Sequence, residues 1–468
     1  MSILKVVLTI LEALLALNLL IFVHELGHFL AARWRGMQVD RFAIWFGKPI
    51  WKKKINGVEY ALGWIPAGGY VALPQMATME MLEGKTDDTK PLPNASPFDK
   101  IIVAFAGPLF SFLLAVFFAF VVWGVGRPEQ LAGDKSTTLG YVDPTGPAWE
   151  AGLRPGDRIL EVDGHPVTQF SPPSQDSITW RIVTSEGSDI AVKYLRGNTV
   201  MLAHVVPVKE PTKWYERKSL RKIKVAPIQP AIVDDVFTNS PAAMAKLTSG
   251  DEIVALDGEP IYSYNSVFDL EKTNAAIKPV TMTVRRGTNQ FDSVLLAVKP
   301  MKPADATQSF GIIWKADTNE TLTYPTPSDQ IGQSAGQIFG TLRTVFSPKS
   351  DVGLQQLGGP VLIIRAYKNF LDSDNGWRRV LWFSVILNVN LALLNMFPLP
   401  VLDGGHILLS LLEFVRRRPV NAKVILYIQN ACAIILISFM LFIAFFDTGD
   451  WIRSSHNSGP IEFAPKHS

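Results

Sequence analysis

Two scarcities narrow the classes of protein to which this 468-residue chain can belong. It has one cysteine, Cys432, so no disulfide can form within the chain, whichever compartment its soluble part occupies. Its formal net charge is only +3 and is spread along the chain, which leaves no case for binding nucleic acid. The sequence therefore excludes a disulfide scaffold and a nucleic-acid-binding protein.

Histidine is also scarce, with seven residues in all. Four of them fall in polar stretches: His165, His204, His456 and His467. The other three, His24, His28 and His406, lie in apolar segments. These three imidazoles are the first candidates for chemistry.

Apolar residues, by contrast, are abundant at 48% of the chain, and the mean hydropathy is +0.18. That value is too high for an ordinary soluble enzyme and too low for a bundle of membrane helices alone. Four stretches approach or exceed the roughly 20 apolar residues that cross a bilayer. They are Ile3 to Ala32, Ile101 to Val125, Val380 to Phe397 and Val424 to Phe446. The first lacks the basic start and the small-residue cleavage site of a signal peptide, so it is predicted to be a span.

Near the end of the first span lies the sequence His24-Glu25-Leu26-Gly27-His28. Two histidines four residues apart project from one face of a helix, where they can share Zn²⁺. Glu25 is then placed to take a proton from water, as a general base in peptide hydrolysis. Ionisable groups inside a span are costly, which favours a functional site over a chance pattern of hydrogen-bonded histidines.

Lysines and arginines predict the orientation of the spans. Seven follow the first span between Arg33 and Lys54, and Arg416, Arg417, Arg418 and Lys423 lie between the third and fourth. By the positive-inside rule both loops face the cytoplasm. The long segment 127–376 then faces the other side, and the histidines lie within the membrane near its cytoplasmic surface.

The segment from Val39 to Leu73 alternates apolar and polar residues and is punctuated by glycine, which predicts short strands and tight turns. Extended backbone at membrane depth is tolerated where it is buried in protein or lines a cavity. Such a hairpin beside the metal could present its edge to an unwound substrate segment. A surface hairpin on the lipid headgroups is the alternative. The stretch from Gln75 to Pro97 is predicted to be a loop.

An internal repeat follows the second span. Gly156-Asp157, a short apolar run and Asp163-Gly164 recur 94 residues later, as Gly250-Asp251 and Asp257-Gly258. Each copy predicts a helix closed by a Gly-Asp turn, a strand and an Asp-Gly hairpin turn. The pattern resembles PDZ domains, which bind extended peptides by strand addition. A passive plug is the alternative for both copies.

One position differs between the copies. Gly152, at the expected end of the helix in the first copy, is replaced by Lys246 in the second. Because glycine suits the left-handed backbone of a helix end, we expect a different helix terminus in the second copy.

Between the repeat and the third span, five apolar residues recur at helical spacing: Ile331, Ala335, Ile338, Phe339 and Leu342. They predict an amphipathic helix at the membrane surface or over the site, or else a core helix of the soluble domain. Leu357-Gly358-Gly359-Pro360 is a helix-start signal.

The second chemical cluster runs from Asn395 to His406, where two prolines and two glycines break the third span at membrane depth. Asp403 is the only acid between Asp374 and Glu413 and could complete a zinc site of two histidines and one carboxylate. His406 is a rival ligand. The amide of Asn395 could donate to a developing oxyanion or could simply bond a carbonyl of the broken helix.

Taken together, His24-Glu25-Leu26-Gly27-His28 and the stretch Asn395 to His406 resemble the site-2 protease family of intramembrane metalloproteases. The resemblance covers almost the whole chain. It implies that Asp403 is a zinc ligand, that Asn395 assists catalysis, and that a membrane-associated β-region contacts substrate through Glu59, Tyr60, Ala61, Leu62, Gly68, Gly69 and Tyr70. Trp45-Phe46-Gly47 departs from the family, which often has Gly-Phe-Gly there.

The predicted fold is an α-helical polytopic membrane protein of about four transmembrane helices, with a membrane-associated β-hairpin region and two inserted α+β PDZ domains. The predicted boundaries are 1–36 for helix 1, 37–99 for the β-region and loop, 100–126 for helix 2, 127–216 and 217–303 for the PDZ domains, 304–376 for the linker with the amphipathic helix, 377–418 for helix 3 and its loop, 419–447 for helix 4 and 448–468 for the tail.

The predicted function is cleavage of single-span membrane proteins within the bilayer of a bacterial inner membrane, with zinc held by His24, His28 and Asp403 and with Glu25 as acid and base. The partners implied are the lipid bilayer, the single-span substrate and an upstream protease that cuts the same substrate first; the family resemblance points to an anti-sigma factor or remnant signal peptides as substrates. The alternative from another class is a membrane-anchored PDZ scaffold with a non-catalytic metal site.

Overall fold

The structure is a computed structural model that describes residues 3–76, 95–129, 135–171, 174–273, 278–301, 308–315, 321–373, 375–418, 422–456 and 463. It divides into two units. We call 1–128, 322–339 and 358–447 the membrane unit, and 129–321, 340–357 and 448–468 the repeat unit. Most of the predicted loop before Pro97, residues 419–421 between the third and fourth spans, and the tail beyond His456 except Phe463 lie outside the described residues.

The described helices and strands follow in chain order, with two short 3-10 turns at Pro74–Met76 and Leu354–Gln356. The first half contains α1 (Ile3–Trp34), β1 (Arg41–Ile55), β2 (Val58–Ala72), α2 (Pro97–Val125), β3 (Arg127–Glu129), β4 (Leu139–Val142), α3 (Pro147–Glu150), β5 (Arg158–Val162), β6 (His165–Pro166), α4 (Ile178–Thr184), β7 (Ile190–Arg196), β8 (Thr199–Val205) and β9 (Val225–Pro227). The second half contains β10 (Ala231–Val236), α5 (Pro241–Met244), β11 (Glu252–Leu256), β12 (Glu259–Pro260), α6 (Asn265–Thr273), β13 (Val280–Arg286), β14 (Asn289–Leu295), β15 (Ile312–Trp314), β16 (Thr321–Thr323), α7 (Pro327–Phe346), α8 (Pro360–Leu371), α9 (Gly376–Asn395), α10 (Asp403–Arg416) and α11 (Ala422–His456).

Four helices of the described chain are long and apolar enough to cross a membrane, which confirms the predicted spans. They run over Leu11–Trp34, Pro97–Val125, Gly376–Asn395 and Lys423–Arg453. Sequence signals set the ends of the second one, α2: the hydroxyl of Ser96 accepts a bond from the Asp99 N–H, Pro97 begins the helix, and Gly126 ends it. The fourth helix continues to His456, past the predicted start of the tail at residue 448.

The third span breaks where the prolines and glycines predict. α9 ends at Asn395, and α10 begins at Asp403 after an extended Leu402. The prediction of a loop after the break is wrong in part, because 403–416 forms a second helix. The α10 helix has an apolar side and packs against α2. A helix satisfies within itself the backbone groups that a loop would leave unpaired at this depth.

The predicted β-region forms a single antiparallel sheet in which β1 and β2 each bend. The segment 41–44 pairs with 59–62 on one edge and with 69–72 on the other, while 51–55 pairs with 58–62. The bends fall at Trp45–Gly47 and at Gly68, where Trp45, Gly47 and Gly68 all have positive φ. The segment 69–72 is therefore an outer strand of the described sheet.

The two copies of the internal repeat have the same order of elements: a short helix, two strands, a second helix and two more strands. The Asp-Gly turns have positive φ at both residues, as the two-residue hairpin prediction requires. The recurring Gly-Asp pair also has a clear role. Asp157 and Asp251 are almost fully buried, and each accepts bonds from a backbone N–H three residues earlier and from an arginine, Arg196 and Arg286 respectively.

Two expectations about the repeats need correction. Lys246 has a left-handed backbone with φ 58°, as Gly152 does with φ 93°, so the helix terminus is the same in both copies. Strand pairing also carries each copy past its predicted end, because β9 pairs with β4 and β15 pairs with β10. The first copy therefore reaches Pro227, and the second reaches Trp314.

The predicted amphipathic helix is α7, and the Gly-Pro signal begins α8 at Pro360. Ile331 and Ala335 of α7 pack against a buried cluster of the membrane unit that includes Ala115 on α2 and Val385 on α9. The amide of Gln330 donates to the carbonyl of Ala119 at 3.0 Å. This part of α7 therefore packs on the candidate membrane helices. It is neither a helix at the membrane surface nor a core helix of the soluble domain.

Candidate metal centre

Three of the predicted site residues meet at one point of the membrane unit. His24 Nε2 lies 3.2 Å from one carboxylate oxygen of Asp403, and His28 Nε2 lies 3.3 Å from the other. The two Nε2 atoms are 3.3 Å apart. In the part of the chain that the structure describes, these residues form the one group of three whose ligand atoms all lie within 4.8 Å of one another.

The second span orients both histidines. His28 Nδ1 donates to the carbonyl of Val103 at 2.7 Å, and His24 Nδ1 lies 3.0 Å from the hydroxyl of Ser111. A hydrogen bond at Nδ1 fixes the ring and leaves the lone pair of Nε2 available to a metal. Both rings therefore present Nε2 to the same space that Asp403 borders.

Glycine brings the helices close enough for these bonds. A Cβ at Gly107 of α2 would lie 2.2 Å from His28 Nε2 and 2.9 Å from His24 Nε2. A Cβ at Gly27 of α1 would lie 2.4 Å from the carbonyl oxygen of Ala106. The space in front of the two Nε2 atoms is open because position 107 has no side chain.

Glu25 borders the same space. A cavity of about 230 Å³ is lined by His24, Glu25, His28 and Asp403 together with Ile21, Gly68, Gly69, Leu391, Asn395, Val401 and Leu402. Glu25 is buried, and its Oε2 has no hydrogen-bond partner among the described residues. A buried carboxylate oxygen without a partner is costly and calls for a water, an ion or a substrate group beside it.

The structure also places Asn395 and distinguishes His406 from Asp403. Asn395 lines the cavity, and its Nδ2 lies 3.5 Å from His24 Nε2. His406 is buried but is not part of the three-residue group. Asp403, rather than His406, is thus the third ligand candidate.

Two members of the predicted β-region border the cavity, and the others do not. Gly68 and Gly69 are lining residues, and a Cβ at Gly69 would lie 3.3 Å from the Glu25 Cγ. Of the rest, Ala61 and Tyr70 are buried in the sheet, Glu59 pairs with Arg41, Tyr60 packs on Phe29 and Phe42, and Leu62 pairs across the sheet with Ile44. The outer strand therefore lies beside the candidate base, as the first alternative for this region required.

Trp45 stands where the family often has glycine. It adopts φ 67°, and its indole N–H donates to Asn18 of α1 at 2.5 Å. The next residue, Phe46, stacks on Tyr70 with ring centroids 6.0 Å apart. The first bend is thus tied to α1 by a side chain that glycine could not supply.

Sequence reasoning missed the residues of α2 that build the site. Val103, Gly107 and Ser111 contact the histidines, yet none belongs to a metal motif. The signal for them is the run Ala106-Gly107-Pro108 within a span, because small residues in membrane helices mark close helix contacts.

Residues 12–439 match peptidase family M50. The chain belongs to that family. The resemblance to site-2 proteases is thereby confirmed, and with it a zinc-dependent metalloprotease of the membrane.

Individual M50 relatives align along most of their length. The chain is 28% identical to the Regulator of sigma-E protease RseP of Escherichia coli (strain K12) over 451 residues, which cover 91% of this chain and 95% of that protein. It is 27% identical to the protein of the same name from Salmonella typhimurium (strain 14028s / SGSC 2262) over 451 residues, with the same coverage. A Vibrio cholerae protein named as a zinc metalloprotease is 28% identical over 442 residues, covering 88% of this chain and 92% of that protein.

The residues of this M50 chain fit a zinc ion. Two imidazoles and a carboxylate are a ligand set of catalytic zinc, which keeps a fourth position open. The space that a Cβ at position 107 would fill leaves room for the ion. Glu25 Oε2, which has no hydrogen-bond partner among the described residues, borders the same cavity.

Proposed function

We propose that this protein cleaves single-span membrane proteins within the bilayer, with His24, His28 and Asp403 as its zinc ligands and Glu25 as its general base and acid. The observation that carries the proposal is the convergence of these four side chains on one cavity between apolar helices. Zinc in such a site lowers the pKa of water and polarises a carbonyl oxygen.

The protein's own residues have distinct parts in this proposal. Glu25 accepts a proton at its carboxylate and returns it to the leaving amine. The Asn395 amide donates to the oxygen on which charge develops. The outer strand at Gly69 holds an unwound substrate segment in extended form beside Glu25, by backbone hydrogen bonds.

The decisive experiment separates the base from a ligand. Glu25→Gln should abolish proteolysis while the zinc content of the purified protein stays at one per chain, because the amide cannot take up the proton. Asp403→Ala should lose both zinc and proteolysis. Glu12→Gln, which changes an exposed acid on the same helix, is the matched control and should alter neither. An active Glu25→Gln protein would refute the mechanism.

We further propose that the substrate reaches the site after another protease has shortened it, and that an anti-sigma factor is one such substrate. Two of the relatives named above carry the name Regulator of sigma-E protease RseP. The repeats are inserted in the chain between α2 and α9, the helices that carry Ser111 and Asn395. A pair of small domains in that position could exclude a substrate with a bulky folded part and admit one with a short tail. Their PDZ identity and their extracytoplasmic location are part of this proposal.

Deleting 129–321 tests the filter against recruitment by strand addition. A filter predicts that the shortened enzyme cuts the full-length substrate, whereas recruitment predicts weaker cleavage even of a trimmed one. If a folded, zinc-loaded deletion protein refuses the untrimmed substrate and cuts the trimmed form normally, both ideas fail. Selection would then be assigned to the β-region.

A further inference from the structure

Each repeat contains one loop of the same construction, just before its last strand. We define the first loop as 222–225 and the second loop as 309–312. Lys222 forms a backbone pair with Val208, and Ser309 forms one with Val298. The carbonyl of the third residue in each loop, Lys224 or Gly311, accepts a bond from the end of a neighbouring strand segment.

The loops also agree in burial and backbone conformation. The second residue of each is a buried apolar side chain, Ile223 or Phe310. The third has positive φ, 58° at Lys224 and 73° at Gly311. A turn of this kind directs successive backbone N–H groups to one side, where they can bind an anion such as a carboxylate.

In the second loop those groups already have a carboxylate. Glu271 of α6 accepts the backbone N–H of Phe310 at 2.7 Å and the hydroxyl of Ser309 at 3.0 Å, through the same oxygen. The Ser309 hydroxyl in turn accepts the Gly311 N–H at 3.0 Å. The second loop is therefore satisfied from within its own repeat.

At the first loop no carboxylate of the described residues accepts a backbone N–H; Glu210 and Asp143 pair instead with the ammonium groups of Lys222 and Lys224, at 2.9 and 3.1 Å. The helix α4, from Ile178 to Thr184, contains no acidic residue. The backbone N–H of Ile223 has no hydrogen-bond partner among the described residues. The two repeats thus share the loop and differ in whether a carboxylate of the chain accepts the backbone N–H of its second residue.

The strand that follows the loop also differs between the two repeats, and again the second repeat is the less accessible to a peptide. Trp314 of β15 stacks on Tyr264 at 6.0 Å and meets Phe268 edge-on at 6.4 Å, which joins the strand to the helix α6 region by aromatic contacts. The paired position of the first repeat, at the end of β9, is Pro227. An incoming peptide strand would have to displace these rings in the second repeat only.

We propose that Glu271 is a resident ligand of the second loop, so that peptides ending in a free carboxylate bind the first repeat and not the second. This inference depends on the proposed function in one respect only, because it treats the repeats as part of substrate selection. A hydrogen bond from a backbone N–H to an ionised carboxylate is among the stronger hydrogen bonds in proteins. Because Glu271 belongs to the chain, it competes with the terminal carboxylate of a peptide without the loss of translational freedom that the peptide undergoes on binding.

The first test follows the amide of Phe310 by hydrogen exchange in the full-length protein, carried in the Glu25→Gln background so that no proteolysis intervenes. Glu271→Ala should speed its exchange about fivefold, the effect of losing one hydrogen bond of ~1 kcal/mol. Propionate should restore protection, and propionamide should not. Glu271→Gln keeps an oxygen acceptor and should stay protected, and Glu259→Ala, which removes an exposed acid of the same repeat, should change nothing.

The second test maps peptide binding directly. The probe is a pool of photoreactive octapeptides with randomised last four residues, made with a free carboxylate and, separately, amidated. The wild-type protein should crosslink the free-carboxylate pool at 222–227 and not at 309–314, and Glu271→Ala should add crosslinks at 309–314. Wild-type crosslinks at 309–314 equal to those of the variant would overturn the proposal, as would unchanged exchange at Phe310.

A variant that keeps the acid covers the case in which Glu271→Ala does not fold. Glu271→Asp retains the charge but is one methylene too short to reach Phe310, so it should show the same faster exchange and the same gain of crosslinks. Neither readout requires zinc or proteolysis. Failure here therefore leaves the protease proposal standing, and loss of the zinc mechanism leaves this inference standing.

Discussion

The membrane unit and the repeat unit both depend on glycine, but for different physical reasons. In the membrane unit Gly107 is needed because a side chain there would occupy the space in front of His24 and His28. In the repeat unit Gly152 has positive φ and open space around it, and Lys246 holds the same conformation in the second copy. A requirement for close approach admits no substitute, whereas a requirement for backbone conformation can be met by another residue at a modest cost.

The largest effect that sharpens this comparison is expected at Gly107. Gly107→Ala places a methyl group 2.2 Å from His28 Nε2, so the helices must separate or the imidazoles must turn away. Zinc content and proteolysis should both be lost. Gly124→Ala is the matched control on the same helix, because its Cβ would meet nothing within 4 Å, and it should retain both. A zinc-loaded Gly107→Ala protein would show that the close approach is dispensable.

A smaller loss within the membrane unit is expected at Asn395. If its amide stabilises the oxyanion, Asn395→Ala should lower turnover about 10²–10³-fold with zinc content and substrate binding little changed. Asn390→Ala removes an amide from the same helix that does not line the cavity, and it should keep its turnover. Equal turnover in both variants would assign Asn395 to the end of the helix rather than to catalysis.

Next in size is the ion pair between the buried Asp251 and the half-exposed Arg286 of the second repeat. It tests whether a polar contact there is as exacting as a glycine contact in the membrane unit. Burial by itself raises the pKa of Asp251, but the bonds from Arg286 and from the backbone of Thr248 outweigh it and hold that pKa below its usual 3.8. Its stabilisation is therefore present above 3.8 and is lost as the pH falls towards the folded pKa. Arg286→Ala should weaken the second repeat at neutral pH, although the loss is limited because the arginine is half exposed and solvent screens its charge.

Hydrogen exchange of β11 and β13 in the full chain measures this loss. Arg285→Ala, which removes a more exposed arginine beside it, should cost less. If the two variants behave alike at every pH, the buried carboxylate is held by its backbone bond alone.

Much of the fold was predictable because its signals are local. The spans follow from apolar length, the break in the third span follows from Pro398, Pro400, Gly404 and Gly405, and the repeat turns follow from Asp-Gly pairs. Two candidate ligands, His24 and His28, could be found by helical spacing alone. Asp403, by contrast, could be placed only by elimination and by resemblance, because nothing local joins it to His24.

The contacts that sequence reasoning missed are all non-local. Val103 and Ser111 support the histidines across a helix interface, and Glu271 reaches a loop 38 residues further along the chain. The helical segment after Asp403 was missed for another reason, since the Pro-Gly-rich break masks where the helix resumes. The expected difference between Gly152 and Lys246 was wrong because φ was inferred from residue type, while the surrounding bonds dictate it.

The smallest effect is expected at that pair of positions. Gly152→Ala should cost only about 1 kcal/mol, because a Cβ in the left-handed region costs ~1–2 kcal/mol and the stiffer unfolded chain returns part of this. No neighbour lies within 4 Å to add a clash. Lys246→Gly should change the second repeat by less than 1 kcal/mol, since relief of strain is opposed by the greater freedom of glycine in the unfolded chain. Arg196 and Arg286 donate to the carbonyls of Gly152 and Lys246 at 2.7 and 3.0 Å, which fixes the terminus in both copies whichever residue is present. Exchange of the amides of β7 and β13 in full-length protein measures both changes. A loss above 3 kcal/mol for Gly152→Ala would mean that its left-handed conformation is as exacting as the close contact at Gly107, and the distinction between the two units would fail.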